Sequence, residues 1–133
     1  MPLFAQSRYV LAVRNLRSST QYYMDVLGCR RDFGDESDGW SFLSRDGFHV
    51  MLGECPDDQD AGELGNHSWF AYLTVEGIDD LYAELQARGA TIIAPVVSEP
   101  WGMREFGIRT PDGHRIRFGE PVRPGQAVRA RPR

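Results

Sequence analysis

Apolar and polar positions along this chain follow two kinds of pattern, and the pair of patterns occurs twice. Residues 8–13 (RYVLAV) are rich in β-formers and predict a strand. Asn15 is of a type that caps helices; beyond it Leu16, Tyr23, Val26 and Leu27 line one helical face, and Gly28 supplies the left-handed position after the last turn. Strands are predicted next at 29–33, 40–44 and 48–53, with Asp46-Gly47 as the hairpin turn between the last two. Residues 55–66, rich in Asp, Gly and Pro, read as a linker.

The same order then returns. Residues 68–75 (SWFAYLTV) predict a strand, and Ile78, Leu81, Tyr82 and Leu85 form a helical stripe. Asp79 and Asp80 stand at the start of that helix and Arg88-Gly89 at its end, as the helix dipole and the C-cap favour. Strands follow at 91–97, 104–110 and 115–118, with Pro111-Asp112-Gly113 turning the last hairpin. Val13-x-x-Leu16 matches Val75-x-x-Ile78, and Ser44-Arg-Asp-Gly47 matches Thr110-Pro-Asp-Gly113. Glu54 and Glu120 each fall seven residues beyond their turn glycine. A repeat this long is a duplicated supersecondary module of βαβββ order, not a solenoid unit.

Composition narrows the partners. At 133 residues the chain is of single-domain size and needs neither disulfide nor structural metal to build a core. The formal net charge of -4, with no Lys/Arg stripe through the body, argues against a nucleic-acid or anionic-membrane partner. Arg123, Arg129, Arg131 and Arg133 lie among Pro, Gly and Ala and read as a flexible, solvated tail over 121–133. No apolar run approaches the ~20 residues that span a bilayer, and no signal peptide is recognisable. Cys29 and Cys55 are too few for a disulfide framework, so a reduced, cytoplasmic setting is expected.

Three stretches carry a family resemblance: VRNL…YYMDVLG, its second copy VEGIDDLYAELQARGA, and EPWGMREFGIRTPDGHRIRFGE. In this order, and with the internal repeat, the chain resembles the vicinal-oxygen-chelate superfamily of glyoxalases, extradiol dioxygenases, fosfomycin-resistance enzymes and bleomycin-resistance proteins. The last stretch is most similar to bleomycin-resistance-type members. The resemblance covers roughly residues 8–120 and implies one domain: module one at 8–54, a linker at 55–67 and module two at 68–120. The implied class is α+β, with two tandem βαβββ modules forming a cupped, barrel-like mixed sheet and the helices outside.

With the helices outside, strand alternation sorts side chains into a packing face and a cup face. Arg8, Val10 and Ala12 are expected in the cup, with His49, Met51 and Gly53 from the same module. From the second module Ser68, Phe70, Tyr72 and Thr74 are expected inside, with Trp69, Ala71, Leu73 and Val75 packing outward. Met103, Glu105 and Gly107, and Arg115, Arg117 and Gly119, are likewise expected inside. A β-bulge would reverse any one of these strands.

Metal-dependent relatives place His, Gln or Glu at four inward positions, which here match Arg8, Met51, Phe70 and Arg117. Two guanidinium groups, a thioether and a phenyl ring do not make a site for Zn, Ni, Fe or Mn. His67, in GNHS, and His114, at a turn, are expected to be exposed polar residues, and His49 alone does not hold an ion. The expectation is therefore no metal, no other cofactor and no catalytic residue. Without an ion the superfamily's lyase and dioxygenase chemistry lacks its electrophile.

What the resemblance implies instead is binding or sequestration of a small organic molecule, connected in the family with antibiotic resistance. Candidate ligand-binding residues are Arg8, His49, Met51, Phe70, Tyr72, Trp101, Glu105 and Arg117. Phe70, Tyr72 and Trp101 are suited to stack on a planar ligand. Arg8 and Arg117 are suited to grip an acceptor in a fork; the alternative for Arg117 is a pair with Glu105 on the adjacent strand. His49 fits a structural role as well. The acidic residues Asp57, Asp58, Asp60 and Glu63 suit a cationic drug, whereas two inward arginines oppose one. The family pattern and an open sheet edge favour a homodimer. Two other readings stand beside this one: a glyoxalase-like lyase or dioxygenase with a divalent metal on ligands not recognised here, and a regulatory module with a vestigial cup.

Overall fold

The computed structural model describes residues 2–58, 60–63 and 69–130; the expected sites of Ser68, His67, Arg131 and Arg133 lie outside these. Two compact units, residues 1–60 and 61–133, each hold one module. The first unit runs β1 (Tyr9–Val13), α1 (Leu16–Asp25), β2 (Arg30–Asp35), β3 (Trp40–Arg45) and β4 (Phe48–Glu54). The second runs β5 (Trp69–Thr74), α2 (Ile78–Ala87), β6 (Thr91–Ser98), β7 (Met103–Arg109) and β8 (Arg115–Pro121). The α+β class with two βαβββ modules is thus as expected, and each module builds its own four-stranded mixed sheet. Strand orders are β1-β4-β3-β2 and β5-β8-β7-β6. In each, the strand before the helix pairs in parallel with the last strand, and the other pairs are antiparallel.

The apolar stripes predicted for the helices form the cores. Leu16 and Tyr23 of α1 are fully buried with Val13, Leu43, Val50 and Leu52 of the sheet. In the second unit Ile78 and Leu85 of α2 are buried with Phe106, Ile108 and Ile116; Phe106 stacks on Phe118 at 4.7 Å and meets Tyr82 edge-on at 5.0 Å. Burying side chains of this size stabilises by about 1.5–3 kcal/mol each. The α1 face also carries Thr20, whose hydroxyl lies 2.7 Å from that of Ser41 on β3, so this buried polar pair satisfies itself.

The turn chemistry is realised as read. Asp46 has φ 51, Gly113 has φ 88, and Gly28 after α1 has φ 73. Asn15 caps α1 by accepting from the Ser18 amide at 2.9 Å. The matching acids at the ends of β4 and β8 have a structural task. Glu54 Oε2 accepts from the Leu16 amide at 2.8 Å, and Glu120 Oε2 accepts from the Gly77 amide at 2.6 Å. Each last strand therefore supplies a carboxylate to the first turn of its own module's helix, where amide donors and the helix dipole favour negative charge. Gly77, the N-cap of α2, has no side chain to do this itself.

One facing departs from expectation. On β5, Trp69 pairs with Arg115 and Ala71 with Ile116, so the register shifts by one residue at Phe70. That bulge turns Trp69 to the helix-free face, the side on which Tyr72 and Arg117 stand, and turns Phe70 off it. His114 also differs: it is buried, 9% exposed, with the Phe70 ring edge-on at 5.7 Å. Its amide donates to Thr110 Oγ1 at 3.1 Å, which ties the turn to the core.

Candidate functional site

The helix-free face of the second sheet carries one connected array. The Trp69 ring has the Arg117 guanidinium over it, with Cζ 4.5 Å from the ring centroid, a cation–π contact. Arg117 donates to Glu105 Oε1 at 3.2 Å, and the Tyr72 hydroxyl donates to Glu105 Oε2 at 2.6 Å. The pairing alternative for Arg117 is therefore the one realised. Glu105 is nearly enclosed, its side chain 6% exposed against 28% for Arg117. Burial raises the Tyr72 phenol above its ordinary range, and the hydrogen bond and charge of Glu105 raise it further, while Arg117 acts the other way. The hydroxyl thus stays a proton donor, and Glu105 is held between two donors.

Glycines make room for the rings. A Cβ at Gly107 would lie 2.7 Å from the Trp69 ring, and one at Gly119 would run into the Tyr72 hydroxyl. Gly107 pairs with Arg117, and Gly119 with Glu105, so the bare backbone lies under the array. Alternation along β7 and β8 thus places Glu105, Gly107, Arg117 and Gly119 as the sequence predicts. Trp69 is the member that sequence reasoning missed. The signal that pointed to it was the inward Gly107, whose bare backbone leaves space for a large ring.

The remaining predicted residues divide by unit. Trp101 stands 55% exposed on the turn between β6 and β7, and Tyr72 is 44% exposed. In the first unit, Arg8 Cζ is 5.2 Å from the Phe42 ring centroid, and Phe42 stacks on Phe33 at 4.1 Å with 13° between planes. Met51 pairs with Phe42 across β3 and β4. The Gln6 side-chain nitrogen lies 3.0 Å from His49 Nε2 and 3.2 Å from Nδ1. Trp40 covers Gly53, where a Cβ would sit 2.8 Å from the indole. Each unit thus sets an arginine on an aromatic ring, and a large ring on a glycine, on its helix-free face.

The donor sets do not suit a divalent metal. Of the four matched positions, Arg8, Met51 and Arg117 keep the groups already named, and the bulge brings an indole to the place expected for Phe70. None is a ligand for a borderline transition ion. Among the described residues no three His, Cys, Asp or Glu side chains gather as a metal site. An open groove of about 660 Å³ at the start of α2 is lined in part by Thr74, Asp79, Asp80, Glu120 and Arg123. Two of its acids are already engaged, Asp79 with Arg104 at 2.7 Å and Glu120 with the Gly77 amide. Among the described residues no helix is long and apolar enough to cross a membrane.

Known proteins sort with this geometry. A solved structure of TioX from Micromonospora sp. ML1 superposes with a TM-score of 0.73 at 21% identity, covering 89% of this chain and 99% of that one. The bleomycin-binding protein from bleomycin-producing Streptomyces verticillus, complexed with copper(II)-bleomycin, gives a TM-score of 0.69 at 24% identity over 89% and 97%. These likenesses establish the fold. An uncharacterized protein of Mycobacterium bovis is 30% identical over 87 residues, which is 61% of this chain and 57% of that protein. The chain thus spans little more than half the length of that relative. The family model for the Glyoxalase/Bleomycin resistance protein/Dioxygenase superfamily matches residues 5–118, and the chain belongs to that superfamily.

Proposed function

We propose that this protein binds a small organic molecule with a planar ring on the helix-free face of its second module, and does so without a metal ion. The observation that carries the reading is the Trp69–Arg117–Glu105–Tyr72 array. Its rings offer stacking surface, worth about 0.5–1.5 kcal/mol per aromatic pair beyond area burial. Its charges cancel, because Arg117 is spent on Glu105. A neutral aromatic face with fixed hydrogen-bonding groups at its centre suits a ligand with a π-surface and polar substituents, and makes no demand for an anion. Arg117 therefore opposes a cationic ligand less than its charge alone suggests. The Streptomyces verticillus neighbour binds bleomycin by name, which supports the mode of action and leaves the ligand of this chain to experiment.

In the first unit Arg8, set over the Phe42 ring, offers a cation to an acidic substituent, although its charge also acts on Asp32. Its NH1 is buried, with no hydrogen-bond partner among the described residues. A homodimer belongs to the same reading. Val10, Phe33 and Trp40, at 60%, 61% and 40% exposure, offer apolar side chains that a second copy could cover.

Calorimetric titration of the purified protein with metal-free bleomycin and with anilinonaphthalene sulfonate, beside elemental analysis, tests the proposal. Binding to metal-free protein, lost on Trp69→Ala, is the expected result. Near-stoichiometric Ni, Zn, Fe or Mn would overturn metal independence and favour a lyase or dioxygenase. Light scattering that shows a monomer would remove the dimer.

A further inference from the structure

Glu99 is buried, at 3% exposure, although it lies on the same turn as the half-exposed Trp101. Its partner comes from the C-terminal segment: Arg129 NH2 donates to Glu99 Oε2 at 2.7 Å. The Arg129 backbone amide also donates to the Ser98 carbonyl at 2.7 Å, and the Val122 amide donates to the Gly102 carbonyl at 2.9 Å. The chain beyond β8 therefore grips both ends of the 98–102 turn. The turn is closed internally by Gly102 N donating to Glu99 O at 3.0 Å and Glu99 N donating to Met103 O at 2.8 Å. Gly102, at φ 91, permits the reversal.

An arginine on a solvated tail needs no buried partner, and an ion pair between two exposed groups fixes almost nothing. Here one partner is enclosed. Withdrawing the guanidinium would leave a buried carboxylate without its counter-charge, so the pair holds its geometry instead of exchanging with water. We propose that Arg129 is a positioning residue: the C-terminal segment is a strap that sets where the Trp101 ring stands. This rests on the binding reading above and extends it to Trp101, the ring that the sequence singles out for ligand stacking, as a further wall of the same face.

The strap can be tested apart from that reading. The full chain labelled with fluorotryptophan has three tryptophans, and Trp101→Phe assigns the Trp101 line in a fluorine NMR spectrum. Arg129→Gln is expected to shift or broaden that line and leave the Trp40 and Trp69 lines in place. A chain ended after Gln126 should behave as Arg129→Gln does, and Arg129→Lys, which keeps the charge, should restore part of the effect. An unchanged Trp101 line in both Arg129→Gln and the shortened chain would overturn the strap. With anilinonaphthalene sulfonate as the probe, loss of the strap should weaken affinity by roughly tenfold, as expected for one charge-assisted contact. If the native chain binds no probe while the Trp101 line still responds, the strap stands and the binding reading falls.

Discussion

The guanidinium carbon of Arg117 lies 4.5 Å from the centroid of the Trp69 ring, and the same group donates to Glu105. An arginine so held has its charge neutralised on one side and spread over a π-face on the other. It acts as a rigid platform for Trp69 and Tyr72 more than as a free cation. The consequences are open to experiment.

Trp69 and Phe70 are neighbours with opposite roles. Trp69→Ala should weaken ligand binding by about 1–2 kcal/mol while circular dichroism stays native. Phe70→Ala, which removes a ring packed on His114 at 5.7 Å, should lower stability and spare affinity. Titration calorimetry and thermal melts on the two variants separate the effects; the reverse assignment would mean that alternation, not the bulge, describes β5.

Glu105 and Arg117 are not equally buried, so their removals should not cost the same. Arg117→Ala leaves a nearly enclosed carboxylate with Tyr72 as its remaining donor, and should cost about 2–3 kcal/mol in urea unfolding. Glu105→Ala leaves an arginine that reaches solvent, and should cost less. Equal losses would argue against the pair as described.

Tyr72 supplies a titration to follow. Its phenol is raised first by burial and then by Glu105, so the stability it contributes is whole below the ordinary tyrosine value of about 10 and is lost as pH rises through the higher folded value. Ultraviolet titration, with Tyr72→Phe as the reference, should show this group ionising above the ordinary tyrosine range, and Glu105→Gln should bring it down. An unmoved Tyr72 in Glu105→Gln would disprove the coupling.

Asp79, in the first turn of α2, is held below the usual carboxylate range chiefly by the hydrogen bond from Arg104, with the charge of Arg104 adding to it. A depressed acid stabilises above its unfolded value and ceases to do so as pH falls through the folded one. The pair is largely solvated, so Asp79→Asn should cost only about 0.5–1 kcal/mol at neutral pH. That deficit should shrink below about pH 4, where the native protein loses the same contribution. Paired denaturation curves at the two pH values measure it.

The thiols should differ in reactivity. Burial pushes Cys29 up to about 12, with Arg45 opposing and Asp32 adding, whereas Cys55 is exposed. Iodoacetamide at mildly alkaline pH should label Cys55 in the native protein and Cys29 only after unfolding, as peptide mass spectrometry would report.

The amino-acid sequence by itself determined the order of elements, the duplication, the turns and the packing faces of most strands. Those depend on local periodicity and on residues such as Asp46, Gly28 and Gly113 whose backbone preferences act within a few positions. The alternation that placed Tyr72, Glu105 and Arg117 on one face is of the same kind. Only the tertiary structure decided that β5 bulges and presents Trp69, because that choice depends on its register with β8 and on the space above Gly107, far along the chain. The pairing of Arg117 with Glu105, the capping of each helix by Glu54 or Glu120, and the burial of Glu99 under Arg129 were decided in the same way. Each joins groups distant in sequence that local periodicity cannot bring together. The enclosed carboxylates among them, Glu99 and Glu105, bind their partners more firmly because folding excludes water around them.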